Sequence, residues 1–459
     1  MSLFGTAGIR GPVDEITPAL ALEVGQAAGR PGETFVVGRD GRETGAALAA
    51  AMEAGLESAG ADVYRLGQVP TPTLAFASQG RRGAMVTASH NPPTDNGIKL
   101  FDDGVEYDRD AEREIENGVA EGAPTTDWDR WGSSERLEVL DAYRDAVVDY
   151  VRARFGEAGD ETPLLEDLSI AVDCGNGMAS VATPQVLERL GADVVGVNAT
   201  VDGHFPARES KPTPETLTDF SAFLEGDSAF DLGIAHDGDA DRIVVLGPDG
   251  EVIHEDTVLA VVAAHYAAES EADDPVVVTT PNASARIDEQ VREAGGRVER
   301  VRLGALHEGI ARERRDAAEG TEVVFAAEPW KHIHTAFGGW IDGVASAAAV
   351  AALVADAGDT DRLRDPVTER PYRKISVDCP DEAKAETMSA LESDLPDAFP
   401  DAAIDTDYGV RLEFDDASWV LVRPSGTEPY VRIYAESDAV DELIADAREV
   451  VEGAIVDAS

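Results

Sequence analysis

The sequence predicts an α/β protein: three similar mixed α/β domains followed by a smaller C-terminal α+β domain, set around a central cleft. Three observations lead there. One strand–loop–helix–strand plan occurs three times along the 459 residues. Each copy is followed by another apolar strand that ends in a polar loop. The last part of the chain breaks the plan and reads as a strand, a helix, three closely spaced strands and a closing helix, the mark of an antiparallel sheet with helical cover.

The first copy is TFVVGRDGRETGAALAAAMEAGLESAGADVYRLG, residues 34–67, the second LSIAVDCGNGMASVATPQVLERLGADVVGVN, residues 168–198, and the third PVVVTTPNASARIDEQVREAGGRVERVRLG, residues 275–304. Each has a short apolar strand, a small polar loop, a helix of roughly 3.6 period, a glycine stop (Gly60, Gly191, Gly295) and a second strand. That is a β-α-β unit. The strands that follow end in TASHNP with Ser89, in HDGDADR with Asp237, Asp239, Asp241 and Arg242, and in AAEPWKH with Glu328 to His332. If the domains are alike, these loops occupy similar positions and face one cleft. Around Asp365-Pro366 and Arg370-Pro371 the chain reads as a linker. Expected domains are therefore residues 1–136, 137–248, 249–363 and 364–459.

Composition bounds the function. There are 90 acidic residues against 38 basic, a formal charge of −52, and only five lysines: Lys99, Lys211, Lys331, Lys374 and Lys384. Self-repulsion at this density opposes compaction in dilute buffer, whereas at molar salt the Debye length falls to about 3 Å and the repulsion is screened. A salt-rich cytoplasm, as in a halophile, is the expectation. The acid excess then describes the solvent rather than a partner, and it argues against nucleic acid, which needs basic patches. The chain begins Met-Ser-Leu-Phe-Gly, with no secretion signal expected. Its longest uncharged apolar run, Gly343 to Ala355, has 13 residues, short of the roughly 20 that a membrane span requires. Cys174 and Cys379 fit neither a disulfide framework nor a zinc set.

Four motifs carry chemistry. In HDGDADR, Asp237, Asp239 and Asp241 alternate, so extended chain points them the same way, and hard carboxylate oxygens suit Mg2+. An EF-hand would need glycine and glutamate where Arg242 and Pro248 stand. A solvated acidic turn would show the same acids, although Arg242 directly after them suits an anionic ligand. RPSGTEP, residues 423–429, offers a guanidinium from Arg423, hydroxyls from Ser425 and Thr427, and close backbone approach at Gly426, the makings of a phosphate clamp or of an ordinary hairpin loop. FGTAGIRG, residues 4–11, has three glycines and Arg10, a weak anion-loop signal on its own. In MVTASHNPPTDNGIKLF, residues 85–101, turn chemistry separates Ser89-His90 from Lys99. No G-x-S-x-G elbow is present. A metal site, phosphate clamps and a serine together point to phosphoryl transfer with serine as carrier.

FGTAGIRG, TASHNPPTDNGIK, DGDADR and RPSGTEP, in this order from Phe4 to Thr427, resemble the α-D-phosphohexomutases, the family of phosphoglucomutase, phosphomannomutase and phosphoglucosamine mutase. VGRDGRETG (37–45) and TVDGHFPARESKPTPE (200–215) are also family-like. The resemblance implies a last domain like the TATA-binding-protein fold and a Mg2+-dependent isomerase. Ser89 would carry the phosphoryl, with one Mg2+ held by the phosphoserine, Asp237, Asp239 and Asp241. Phosphoryl would pass between C1 and C6 of glucose or mannose phosphate through a hexose 1,6-bisphosphate. Lys99 would be the general acid/base, with its pKa lowered beside the metal and arginines. Arg10 and Arg242 would bind charge around the phosphoserine, His90 and His332 would support the site, and Arg423, Ser425, Gly426 and Thr427 would grip the phosphate that is not reacting. The family's sugar-reading Glu-x-Ser-Gly-His is here Glu328-Pro329-Trp330-Lys331-His332. Trp330 would stack on a sugar or fill a pocket, and Lys331 would add a phosphate contact. A phosphoglucosamine mutase is the alternative within the family, and a metal-dependent sugar phosphatase the alternative outside it.

Overall fold

A computed structural model of the chain describes residues 3–5, 8–156, 162–226, 229–425 and 428–458. It forms two compact units. One runs to Val258 and includes Trp330–Arg364; the other holds Leu259–Pro329 and the chain from Asp365 onward. The division passes through the span expected as the third domain.

The first unit opens with β1 (Ile9–Pro12), β2 (Thr34–Arg39), β3 (Asp62–Gln68), β4 (Arg82–Val86), β5 (Asp95–Asp102), β6 (Val105–Glu106) and β7 (Ser134–Arg136), in sheet order β1-β5-β4-β2-β3-β7 with β6 beside β5. Strand β2 is parallel to β3 and β4, as a β-α-β plan requires, and β4, β5 and β1 are joined antiparallel. Alternation sends Phe35 and Val37 of β2 to one core and Val36 to the other, so the strand is buried on both faces and reads as a continuous apolar run. The second sheet holds β8 (Ser169–Asp173), β9 (Asp193–Val197), β10 (Leu232–His236) and β11 (Ile243–Leu246), in order β11-β10-β8-β9.

In the second unit, β12 (Asp274–Thr279) lies parallel to β13 (Arg297–Arg300) and β14 (Thr321–Glu328). The three sequence copies are thus one topology. In each, the strand preceding the functional loop lies parallel to the first strand of its unit: β4 on β2, β10 on β8, β14 on β12. The loops then leave from carboxyl ends of parallel strands, where α/β sheets place ligands. The glycine stops are positive-φ turns, at +97° for Gly60, +111° for Gly191 and +88° for Gly295, a region other L residues rarely enter.

After β15 (Lys331–Ile333), which belongs to the first unit, comes the helix Gly343–Ala357. Its residues from Gly343 to Val354 are all buried, so the apolar run is a core helix. Asp342 caps it by accepting from Ala345 N–H at 2.8 Å, and also accepts from the Tyr143 hydroxyl at 2.8 Å and Trp340 Nε1–H at 2.9 Å. Among the described residues no helix is long and apolar enough to cross a membrane.

The C-terminal sheet adds β16 (Tyr372–Asp378), β17 (Ala403–Asp405), β18 (Val410–Glu413), β19 (Trp419–Pro424) and β20 (Tyr430–Glu436), all antiparallel in the order β16-β20-β19-β18-β17. Helices Lys384–Ala398 and Val440–Asp457 share its core. Only β17 was not expected: it is three exposed residues at an edge, too short to show alternation. Within this unit Arg286 bonds Glu436 at 2.6 Å and Arg411 donates to Pro281 C=O at 2.5 Å, tying the C-terminal sheet to the loop after β12.

Candidate active site

The site grows from the loop between β4 and β5. Beyond Val86 the backbone turns at Ser89, whose φ is +51°, an unusual value for a residue with a side chain. The Ser89 N–H donates to Thr87 Oγ1 at 2.9 Å. Arg42, in the loop after β2, holds this turn in place. Its Nη2 donates to the carbonyls of Ser89 and Asn91 at 2.9 and 2.7 Å, and its Nη1 to those of Pro92 and Asp95 at 2.5 and 2.9 Å. Arg42 Nε donates to Asp40 Oδ2 at 3.0 Å, and Asp40 also accepts from Thr87 Oγ1 at 2.8 Å. Arg42 and Asp40 are both buried.

The loop between β10 and β11 supplies the acids. Asp237, Asp239 and Asp241 are buried and offer carboxylate oxygens that all lie within 4.8 Å of one another. Ser89 Oγ donates to Asp237 Oδ2 at 2.8 Å and stands 3.4 Å from His90 Nδ1. Gly238 lets the two loops touch, because a Cβ there would lie 2.7 Å from Ser89 C=O. Lys99 Nζ, from β5, donates to Asp241 Oδ2 at 2.8 Å and lies 3.6 Å from both Asp239 Oδ2 and Glu106. Arg242 N–H donates to Asp237 Oδ1 at 3.3 Å, and its guanidinium Nε stands 3.7 Å from Asp237 and 3.8 Å from Asp241.

The charges are strongly coupled. Burial, then Asp241 and Asp239, push the Asp237 carboxyl well above the usual carboxylate range. Burial acts the same way on Asp241, but Lys99, Lys331 and Arg242 outweigh it and hold that carboxyl well below the range. Lys99 corrects an expectation. Burial alone would lower its pKa, yet Asp241, Asp239 and Glu106 outweigh burial and raise it, so the ammonium is firmly protonated. His90 is held neutral, its pKa lowered to about 2 by burial and by Arg242 and Arg10.

These residues fit a divalent cation. Asp239 Oδ1 and Asp241 Oδ1 are buried with no hydrogen-bond partner among the described residues, an expensive arrangement unless a cation takes them up. The donors are hard oxygens, as Mg2+ demands.

The structure therefore brings Ser89, His90, Lys99, Asp237, Asp239, Asp241 and Arg242 together in the first unit. Arg10 on β1 and Lys331 on β15 complete the cluster: Arg10 acts electrostatically on His90 and Lys99, and Lys331 on His90 and Asp241. Trp330, at φ +70°, instead packs half-buried against the core cluster that includes Phe220 and Leu246. His332 is buried beside His334, with ring centroids 6.4 Å apart, and burial lowers its pKa to about 4. In the second unit, Glu328 ends β14 and accepts from Gly304 N–H. There too, Arg423 Nη2 donates to the Tyr434 hydroxyl at 2.9 Å and Ser425 N–H donates to Tyr430 C=O at 3.0 Å. Gly426 and Thr427 lie outside the described residues.

Four matched segments decide the family. The phosphoglucomutase/phosphomannomutase α/β/α domains I, II and III match residues 1–125, 142–250 and 254–370, and the C-terminal domain matches 375–453. The chain belongs to the phosphoglucomutase/phosphomannomutase family. It is a phosphomutase, an isomerase, built on that family's four-domain architecture. A phosphopentomutase of Thermococcus kodakarensis is 40% identical over 98% of each chain, and a probable phosphoglucosamine mutase of Methanopyrus kandleri is 42% identical over 98% of each. Among solved structures, a phosphoglucomutase/phosphomannomutase family protein of Burkholderia thailandensis superposes with a TM-score of 0.85 at 26% identity, covering 99% of this chain and 97% of the other.

Sequence reasoning did not single out Arg42, Asp40 or Thr71, which donates to Asp239 Oδ2 at 2.6 Å. VGRDGRETG gave a family-like signal for the first two, but nothing in it says what Arg42 binds. No motif marked Thr71.

Proposed function

We propose that this phosphomutase carries its phosphoryl group on Ser89 and moves it between C1 and C6 of a phosphosugar through a 1,6-bisphosphate. The observation that carries this reading is Ser89 Oγ at 2.8 Å from Asp237 Oδ2, beside two carboxylate oxygens with no partner among the described residues. Asp237, Asp239 and Asp241 would hold Mg2+ with a phosphoserine oxygen, and the cation would neutralise charge on the transferring phosphoryl.

In the forward step the Ser89 Oγ–P bond breaks as an O–P bond to a sugar hydroxyl forms. The hydroxyl proton leaves to a base, and a proton returns to Ser89 Oγ. Lys99 holds a proton beside the acids, which fits it to give one to the departing serine oxygen and, once deprotonated, to take up the one that the sugar hydroxyl loses; His90, held neutral with Nδ1 3.4 Å from Ser89 Oγ, supports the loop. Arg10, Arg242 and Lys331 place positive charge around the phosphoserine. His332, buried beside His334, supports the strand that carries Lys331. The proposed roles of Glu328 in reading sugar hydroxyls, and of Arg423, Ser425, Gly426 and Thr427 in holding the second phosphate, rest on the family motif. Trp330 fits a packing role better than sugar stacking, because it packs half-buried against the core cluster that includes Val244 and Leu246.

Glucose and mannose phosphates are the substrates suggested by sequence. The names of the two full-length relatives favour glucosamine phosphate as the first compound to assay, with a pentose phosphate as a second reading. Rates on glucose, mannose, glucosamine and ribose phosphates in molar KCl with Mg2+ and the matching bisphosphate decide among them. Phosphate released to water without isomerisation on every substrate would establish the phosphatase instead. Intact-mass measurement should find one phosphate on the active enzyme and none on Ser89→Ala, which should not turn over. A phosphate that survives the substitution refutes the carrier.

A further inference from the structure

We propose that Thr71 is a positioning residue for the divalent cation, acting through Asp239. Thr71 opens the helix Thr71–Ala77, on an element separate from the strand and loop that carry the acids. It is buried, and it grips Asp239 twice. Its N–H donates to Asp239 C=O at 3.0 Å, and its Oγ1–H donates to Asp239 Oδ2 at 2.6 Å. Lys99 Nζ stands 3.6 Å from the same Oδ2.

Both cationic and hydroxyl donors therefore gather on Oδ2, while Oδ1 has no partner among the described residues. A hydroxyl has one proton to give. Given to Oδ2, it fixes the rotation of the carboxylate and leaves Oδ1 for the cation beside Asp237 and Asp241. Without it, the carboxylate can rotate and offer either oxygen, and Lys99 becomes its nearest remaining cation. Outer partners of this kind typically change metal affinity by about 10- to 100-fold. Asp237 and Asp241 have their own outer donors in Ser89 and Lys99. Thr71 is the only one of the three that neither titrates nor is proposed to carry phosphoryl, which leaves it a purely geometric task.

The test is Mn2+ binding to the full chain, measured by calorimetry in molar KCl, with phosphorylation of Ser89 matched by mass. Thr71→Val keeps the shape and removes the donor; Thr71→Ala removes it without bulk; Thr71→Ser restores it. Thr73→Val is the control on the same helix, since the buried Thr73 Oγ1 has no partner among the described residues. The expected result is binding weakened about tenfold in the valine and alanine variants, and unchanged in the serine and Thr73 variants. Wild-type affinity in either folded deletion variant overturns the proposal, as does a serine variant as weak as alanine, or a Thr73 variant as weak as Thr71→Val. The inference rests on the metal reading of the three aspartates. Failure of wild type itself to bind Mn2+ would remove that reading, whereas normal binding by wild type and Thr71→Val alike would remove only the role of Thr71.

Discussion

Replacing Arg42 by Met should release the Ser89 loop and destabilise the protein together. The guanidinium makes five side-chain hydrogen bonds: one to Asp40 and four to the carbonyls of Ser89, Asn91, Pro92 and Asp95. Methionine fills much of the same space and makes none of them. Asp40 would then be a buried carboxylate with only Thr87 and a backbone N–H as partners. Burial already raises its pKa, and Arg42 is the first of the influences that lower it. Removing one member of a buried ion pair costs about 3–5 kcal/mol, against roughly 5–15 kcal/mol for the whole stability of a typical domain. Part of the Asp40 penalty is relieved if the carboxyl takes up a proton. Lysine at this position supplies three protons without the planar fork, so it cannot serve four carbonyls and Asp40 at once. Arg42→Lys should therefore fall between wild type and Arg42→Met. Urea unfolding in molar KCl reads the stability. Hydrogen exchange at the amides of Ser89, Asn91 and Asp95 reads the loop. Displacing Ser89, the proposed carrier, should cost turnover about 100-fold. A folded Arg42→Met within about 1 kcal/mol of wild type, with unchanged exchange at these amides, would show that Arg42 does not hold the loop, since that is the worth of a single ordinary hydrogen bond.

Three further outcomes follow from the same geometry. Mg2+ at about 100 times its Kd should raise the unfolding free energy by about 2.7 kcal/mol, and Asp241→Asn should abolish that increment, as read by melts with and without the ion. His334 is buried with its pKa lowered to about 3, its Nε2 2.9 Å from Ser346 Oγ. A histidine so depressed keeps its stability contribution above its unfolded pKa of about 6.5 and loses it as pH falls toward the folded value. His334→Gln should thus flatten the loss between roughly pH 6.5 and pH 4 by up to about 1.4 kcal/mol per pH unit. The carboxylate background cancels in that difference, so parallel curves for the two proteins would be the contrary result. Finally, with a formal charge of −52, the melting temperature should climb steeply as KCl rises from about 0.1 M to molar levels, where the Debye length shrinks from about 10 to 3 Å; a flat response would remove the salt-rich-cytoplasm reading.

The legible part of this molecule was the part written in local pattern. The three β-α-β copies were visible because each strand, helix and glycine stop is contiguous, and the stops prove to be positive-φ turns at Gly60, Gly191 and Gly295. The three aspartates were visible because alternate residues of an extended segment share a side. The supports of the site were not. Arg42 binds carbonyls about 50 positions along the chain, and Thr71 binds an aspartate 168 positions away. An arginine or threonine carries no local mark of such a partner. Lys99 shows the complementary failure. Its place was legible from the motif, but the direction of its pKa depended on how closely Asp239, Asp241 and Glu106 approach it. The Trp330-Lys331 departure shows where pattern ends. Sequence placed Trp330 and Lys331 where the family's sugar-reading loop has serine and glycine, the first expected on a sugar face or in a pocket and the second on phosphate. A single backbone inversion, φ +70° at Trp330, separates them: the half-buried indole packs against the core cluster of the second sheet, whereas the next residue begins β15 and sets its ammonium in the field of His90 and Asp241. Two neighbours thus take different work, one packing and one electrostatic, and any change in substrate preference should follow Lys331 rather than Trp330.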